Sequence, residues 1–263
     1  MRNLIAISGK INSGKSLIGK IIQYLIYAEQ TENYKKNNEF ILELINDKNL
    51  SYTLLEETIN WEIKQFSTKL KEIICILLNC TFDQLEDREF KEKELGEEWW
   101  CWKSIGNDYF PLKDYNDSTG TKHYKLVKLT PRLLMQLLGT QCFRNIIHPN
   151  TFINALFSDY KQNKDLSPYA NKNSFDYPSW IITDLRFKNE LQAIKNKNGI
   201  TIRVNRITGN VLIDNDTHTI TDWQHPSETE LDNEKFDYII ENDKDIIHLI
   251  KEVKKILVKE KII

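Results

Sequence analysis

Residues 4–22 read LIAISGKINSGKSLIGKII. Four apolar residues, Leu4 to Ile7, run into Ser8-Gly9-Lys10-Ile11-Asn12-Ser13-Gly14-Lys15-Ser16, and an apolar-periodic stretch follows. Gly9 to Ser16 fits G-x-x-x-x-G-K-[ST], a loop that cradles phosphate. Gly9 and Gly14 let the backbone turn tightly and bring its N–H groups to phosphate oxygens, at the positive end of the next helix. Lys15 is placed to reach the β- and γ-phosphates of a nucleoside triphosphate, and the Ser16 hydroxyl to ligate Mg²⁺. A strand before and a helix after is the context the pattern requires; an ordinary Gly/Ser turn is the competing reading.

Outward from this loop, four more short apolar runs read as strands: Trp61 to Phe66, Trp180 to Thr183, Ile200 to Val204 and Tyr238 to Ile240. Between them lie stretches of helical period: Ser16 to Tyr27, Leu70 to Leu78, Thr130 to Gly139, Asn150 to Gln162, Asn189 to Lys197 closed by Gly199, and a C-terminal face from Ile246 to Leu257. Thr130-Pro131 at the start and Gly139 at the end punctuate a short helix. Strands alternating with helices predict an α/β fold, a parallel sheet covered on both faces. Residues 29–60 and 86–128 fit no core element. The first is polar and partly helical. The second carries Trp99, Trp100, Trp102, Tyr109 and Phe110, and reads as a lid or substrate-binding insertion or as a small packing cluster. We therefore expect one domain over residues 1–263 with these two insertions.

The composition narrows the partners. Thirty-six basic residues against 38 acidic ones give a net charge of −2, so no bulk attraction to nucleic acid or anionic membrane is built in. Neither nucleic acid nor membrane is expected as a partner, and phosphate binding must be local. No apolar run approaches the ~18 residues of a membrane span, and the apolar start leads directly into the loop instead of a cleavage site. The cysteines, Cys75, Cys80, Cys101 and Cys142, form no C-x-x-C pair, and the five histidines no zinc-spaced cluster. Free thiols in a reducing cytoplasm are the expectation.

A phosphate loop alone does not choose among switches, motors and kinases. Asn171-Lys172-Asn173-Ser174 lacks the aspartate of a guanine-binding motif, and no long apolar strand ends in Asp-Glu. Instead, Trp180 to Thr183 ends in Asp184-Leu185-Arg186. This sets a carboxylate and a guanidinium at the carboxyl end of a strand, where ligands of open α/β sheets sit. Asp184 is a candidate for the magnesium shell and Arg186 for bidentate phosphate binding, against an Asp that caps the next helix beside a surface Arg. Arg132, in the first turn of its helix, and Arg144, in GTQCFRNIIHP, complete a set of arginines suited to phosphoryl transfer. A phosphate acceptor is already an anion, so no general base is needed.

The segments LTPRLLMQLLGTQCFRNIIHPNTFINALF (129–157), WIITDLRFKNELQAIKNKNGITIRVNR (180–206) and HPSETEL…FDYIIEND, in that order behind the loop, resemble the deoxynucleoside monophosphate kinases of bacteriophages. WEIKQFSTKLKEIICILL (61–78) is similar to that family's Phe-Ala-x-x-Leu-Lys element. The resemblance spans Leu4 to Ile240. It implies a three-layer P-loop fold with a five-stranded parallel sheet, ATP and Mg²⁺ as donor and metal, and a deoxynucleoside monophosphate acceptor in the cytoplasm of the host. A homodimer is allowed for. By motif, Gly9, Ser13, Gly14, Lys15 and Ser16 would hold ATP, with Ser16 and Asp184 at the metal. Lys69, Lys71, Arg132, Gln141, Arg144, Asp184, Arg186, Glu190 and Glu228 would line the acceptor side, with Lys15, Arg132, Arg144 and Arg186 catalytic. Gln141 stands where the family often has Glu, Phe152 where it often has Trp, and Ser67-Thr68 replaces Ala-Asp, which leaves the preferred base open. His225, Ser227 and Glu228 read either as part of the acceptor site or, for the Ser/Glu pair, as a capping box. A kinase of another metabolite and a non-catalytic nucleotide-binding module are the alternatives.

Overall fold

The computed structural model describes residues 2–30, 38–46, 61–104, 109–111, 124–161, 177–206 and 226–263. In chain order the elements are β1 (Leu4–Gly9), α1 (Lys15–Gln30), α2 (Asn38–Asn46), β2 (Trp61–Lys64), α3 (Thr68–Leu78), α4 (Phe82–Glu86), α5 (Arg88–Glu92), β3 (Cys101–Ser104), β4 (Tyr109–Pro111), β5 (Tyr124–Val127), α6 (Pro131–Gln136), a π-helical stretch (Leu137–Ile147), α7 (Thr151–Phe157), β6 (Ser179–Leu185), α8 (Lys188–Asn196), β7 (Ile200–Asn205), α9 (Pro226–Thr229), β8 (Tyr238–Glu241) and α10 (Ile246–Lys259). They fall into two compact units: Met1–Phe66 with Ile153–Ile263, and Ser67–Phe152.

The first unit is built on a five-stranded, all-parallel sheet in the order β2-β6-β1-β7-β8. Its strands are the five apolar runs of the sequence. β1 and β6 are buried at every position, as a parallel sheet covered on both faces requires. Ile5 faces Ile181 on one side and Ile200 on the other. Ile18, Ile21, Ile22 and Leu25 of α1, Ile41 of α2, and Leu249, Ile250, Val253 and Leu257 of α10 pack with Ile5, Ile7 and Ile202 into one core. Part of the 29–60 insertion is thus a core helix; residues 31–37 and 47–60 lie outside the described residues.

This strand order sets where a ligand crevice can form. The connection from β1 runs toward β2 and the connection from β7 toward β8, so the chain diverges between β1 and β7. The carboxyl ends of such neighbouring strands frame a ligand crevice. The phosphate loop follows β1 there.

The second unit holds a three-stranded antiparallel sheet in the order β4-β3-β5 and the helices α3 to α6. The sheet occupies the 86–128 region, which sequence reading left without elements; residues 105–108 and 112–123 lie outside the described residues. Trp102 faces Leu126 and Cys101 faces Val127 across β3 and β5, and the Trp100 indole donates to Leu95 O at 3.1 Å. One helix end differs from expectation. Thr130 does cap α6, accepting from Leu133 N at 3.2 Å with Pro131 in the first turn. Gly139 does not end it: the chain continues in a wider winding through Ile147, closed by His148 N donating to Phe143 O. A side chain at Gly139 would meet Leu70 Cδ2 at 2.8 Å, so this glycine serves close packing on α3. The helix expected over 150–162 is shorter, Thr151–Phe157.

Candidate active site

In the first unit, Gly9 to Ser16 leave β1, wrap, and enter α1. Gly14 has φ 101°, a conformation L side chains rarely adopt, and a Cβ there would meet Asn242 Nδ2 at 2.5 Å. At Gly9 a Cβ would meet Val204 O at 2.6 Å. Asn242 Nδ2 donates to Ser13 O at 2.8 Å, tying the loop to the residue after β8. Lys15 is buried, and its ammonium donates to Gly9 O and Lys10 O at 2.7 Å each. Burial, and next the Arg186 guanidinium, pull its pKa down to about 8, while Glu228 and Asp184 push the other way. The Ser13 hydroxyl is buried with no hydrogen-bond partner among the described residues, and Ser16 is exposed at the start of α1.

These residues fit a phosphate group. A buried hydroxyl without a partner is costly unless something arrives to bond it. Glycines at 9 and 14 let the loop wrap tightly against Val204 and Asn242, close enough for its backbone to approach a phosphate. Among the described residues the Lys15 ammonium donates to two carbonyl oxygens and makes no direct ion pair, although Glu228 and Asp184 act on it through space. Phosphate oxygens suit all three.

The carboxyl end of β6 supplies the next groups. Asp184, 9% exposed, accepts the backbone N–H of Phe66 at 2.8 Å; it does not cap the following helix. That task falls to Glu190, whose Oε2 accepts Arg186 N at 2.9 Å and Phe187 N at 3.1 Å at the start of α8. The Arg186 guanidinium pairs with the buried Glu228, whose other oxygen accepts Ile11 N in the loop at 2.8 Å. Glu228 lies inside α9, so the Ser227/Glu228 pair is not a capping box that precedes a helix; His225 lies outside the described residues.

Sequence reading missed the groups on the β7 side of the loop. A cleft of about 210 Å³ is lined by Lys10, Ile11, Ser13, Arg203, Asn205 and Arg206. Arg203 donates to Ser8 Oγ at 3.0 Å and pairs with Asp232 at 2.6 Å; Asp232 also pairs with Lys10 at 3.0 Å. Arg206 donates to Asn12 O at 3.3 Å. The signal was present, since Arg203 and Arg206 stand at the end of β7 as Arg186 stands at the end of β6.

The remaining candidates belong to the second unit. Lys69 pairs with Glu72 at 2.9 Å and Lys71 with Glu86 at 2.5 Å. Arg132 Nε pairs with Glu92. Arg144 lies within the π-helical stretch, not after a helix end; it donates to Gly139 O at 2.9 Å, and its guanidinium lies 4.6 Å from the Phe152 ring centre. Gln141 is exposed. Among the described residues no group of three or more His, Cys, Asp or Glu side chains could hold a metal ion by itself, and no helix is long and apolar enough to cross a membrane.

The sequence model of the deoxynucleotide monophosphate kinase family matches residues 3–253. No curated protein matches the chain. Because the family match begins before β1 and ends inside α10, it takes in the phosphate loop, every strand of the parallel sheet and the whole second unit, and the chain belongs to the deoxynucleotide monophosphate kinase family.

Proposed function

We propose that the phosphoryl donor of this kinase is ATP bound with Mg²⁺, that the first unit grips it, and that the second unit supplies the cations that hold the acceptor phosphate. The observation that carries the donor assignment is the loop itself: Gly9 and Gly14 packed too closely for side chains, the buried Ser13 hydroxyl without a partner among the described residues, and Lys15 buried at the start of α1.

Phosphoryl transfer asks the protein for positioning and charge neutralisation more than for bond-making groups. Backbone amides of the loop and Ser13 hold the donor phosphates. Lys15 gives up its carbonyl partners and faces the β- and γ-oxygens. Ser16 and Asp184 are the residues that would hold magnesium, which would supply charge neutralisation for the transfer. Arg186 stabilises charge on the transferred group. Lys69, Lys71, Arg132, Arg144 and Gln141 hold the acceptor, which needs no general base because its attacking oxygen is already anionic. The product is a deoxynucleoside diphosphate, a precursor for DNA synthesis.

The test is ADP release measured against a panel of deoxynucleoside and ribonucleoside monophosphates, with Lys15→Ala beside the wild type. We expect acceptor-dependent turnover that falls by about a hundredfold or more in the variant, the scale of losing one charge-stabilising donor, with the fold intact by circular dichroism. Turnover that survives the substitution overturns the donor assignment, and ADP release indifferent to any acceptor overturns the transfer reading.

A further inference from the structure

Glu228 differs from the other buried carboxylates in what it touches. Its Oε2 accepts the N–H of Ile11 in the phosphate loop at 2.8 Å, and its Oε1 accepts from the Arg186 guanidinium. The side chain is 2% exposed, against 31% for Arg186. One carboxylate thus ties the loop after β1 to the turn after β6, from a short helix, α9, that belongs to neither. Glu190 holds the same turn from the other direction, through Arg186 N, so the arginine is fixed at its backbone by one carboxylate and at its guanidinium by another.

Both oxygens of Glu228 already meet protein donors, and a buried carboxylate facing a phosphate dianion would repel it. Those facts suit Glu228 poorly as an acceptor ligand. They suit it well as a strut. An arginine side chain has many rotamers, and binding one end of its fork removes most of them before substrate arrives. A misplacement of about 1 Å in a transfer site can cost on the order of a hundredfold in rate.

We infer that Glu228 is a positioning residue of the transfer reaction: it touches neither nucleotide, and holds Arg186 and the Ile11 turn of the phosphate loop in one geometry. The inference rests on the kinase reading above for what Arg186 does once positioned.

The experiment is a double-mutant cycle on E228Q, R186A and R186A/E228Q, with E228D as the conservative variant, read in kcat, in KM for the deoxynucleoside monophosphate and in Kd for ATP. Glutamine offers one acceptor oxygen to two waiting donors, so one contact must break. Expected is a fall in kcat of about 30- to 100-fold in E228Q with acceptor KM within about threefold of wild type, partial recovery in E228D, and a double variant no slower than R186A alone. Should E228Q not fold, E228D in the same cycle carries the comparison. A raised acceptor KM with unchanged kcat would mean direct contact with the acceptor and overturns the inference, as do losses that simply add to those of R186A. If the wild type shows no acceptor-dependent turnover, the kinase reading has failed instead; the cycle in ATP affinity then decides, non-additive weakening supporting the strut and additive or absent weakening overturning it.

Discussion

Lys15 carries the most direct pH consequence. Its ammonium titrates near 8 in the folded chain because it is buried and stands beside Arg186, against 10.5 for the ordinary side chain. Between those two values the unfolded chain binds a proton that the folded chain does not. This group therefore makes ligand-free stability rise with pH across that window, and its burial cost is fully present below about pH 8. ATP bound as proposed would reverse the balance, since phosphate oxygens favour the charged form. Binding should then draw a proton from solution, roughly three quarters of one at pH 8.5, and ATP affinity should weaken as pH rises beyond 8. Titration calorimetry at pH 8.5 in two buffers of different ionisation enthalpy measures that proton; no uptake in the wild type, or equal uptake in Lys15→Ala, would remove Lys15 from the phosphates. The spacing of Gly9, Gly14, Lys15 and Ser16 made the loop legible in the sequence. The depressed pKa was not, because its second cause lies 171 positions away, at Arg186, and only the pairing of β1 with β6 brings the two together.

At the scale of elements, capping signals were readable where they are local and hidden where they are not. Thr130-Pro131 announced α6, and the side chain of Thr130 does what its place implies. Gly139 misled, because its partner is Leu70 on another helix. The antiparallel sheet of the second unit escaped because β4 has three residues and β3 and β5 four each, too short for a clear alternation of period two. Glu190 was read as an acceptor ligand by resemblance, yet its carboxylate holds two amides at the start of α8 and is 1% exposed. Removing it leaves those two donors without their acceptor. Glu190→Ala should cost about 2 kcal/mol in urea unfolding, between the scales for a lost cap and a buried unsatisfied group. Glu190→Gln, which keeps one carbonyl oxygen, should cost less than half of that. If instead Glu190→Gln leaves stability alone and raises acceptor KM, the glutamate is a ligand and the cap incidental.

Over the whole molecule, the near balance of 36 basic and 38 acidic residues means that no long-range field gathers phosphate, so the phosphate binding proposed for each unit rests on local groups. The second unit's candidate cations have carboxylate partners close by: Lys69 has Glu72, Lys71 has Glu86 and Arg132 has Glu92. An acceptor phosphate that uses these cations must displace or share those carboxylates, so the ion pairs weaken acceptor binding by whatever they are worth in the ligand-free protein. Arg132 and Glu92 give the cleanest measure, because the arginine side chain is 22% exposed and the glutamate 48%, and pairs at such exposure contribute about 0.2–1 kcal/mol. Neutralising the competitor should therefore lower acceptor KM in Glu92→Gln by about 1.5- to 5-fold, while Arg132→Ala raises it. Neither change should move the ATP dissociation constant, since the proposed donor groups belong to the first unit and these residues to the second. An unchanged acceptor KM in both variants would take Arg132 out of the acceptor's grip, and a shift in ATP affinity would show that the donor and acceptor assignments do not follow the two units of the fold.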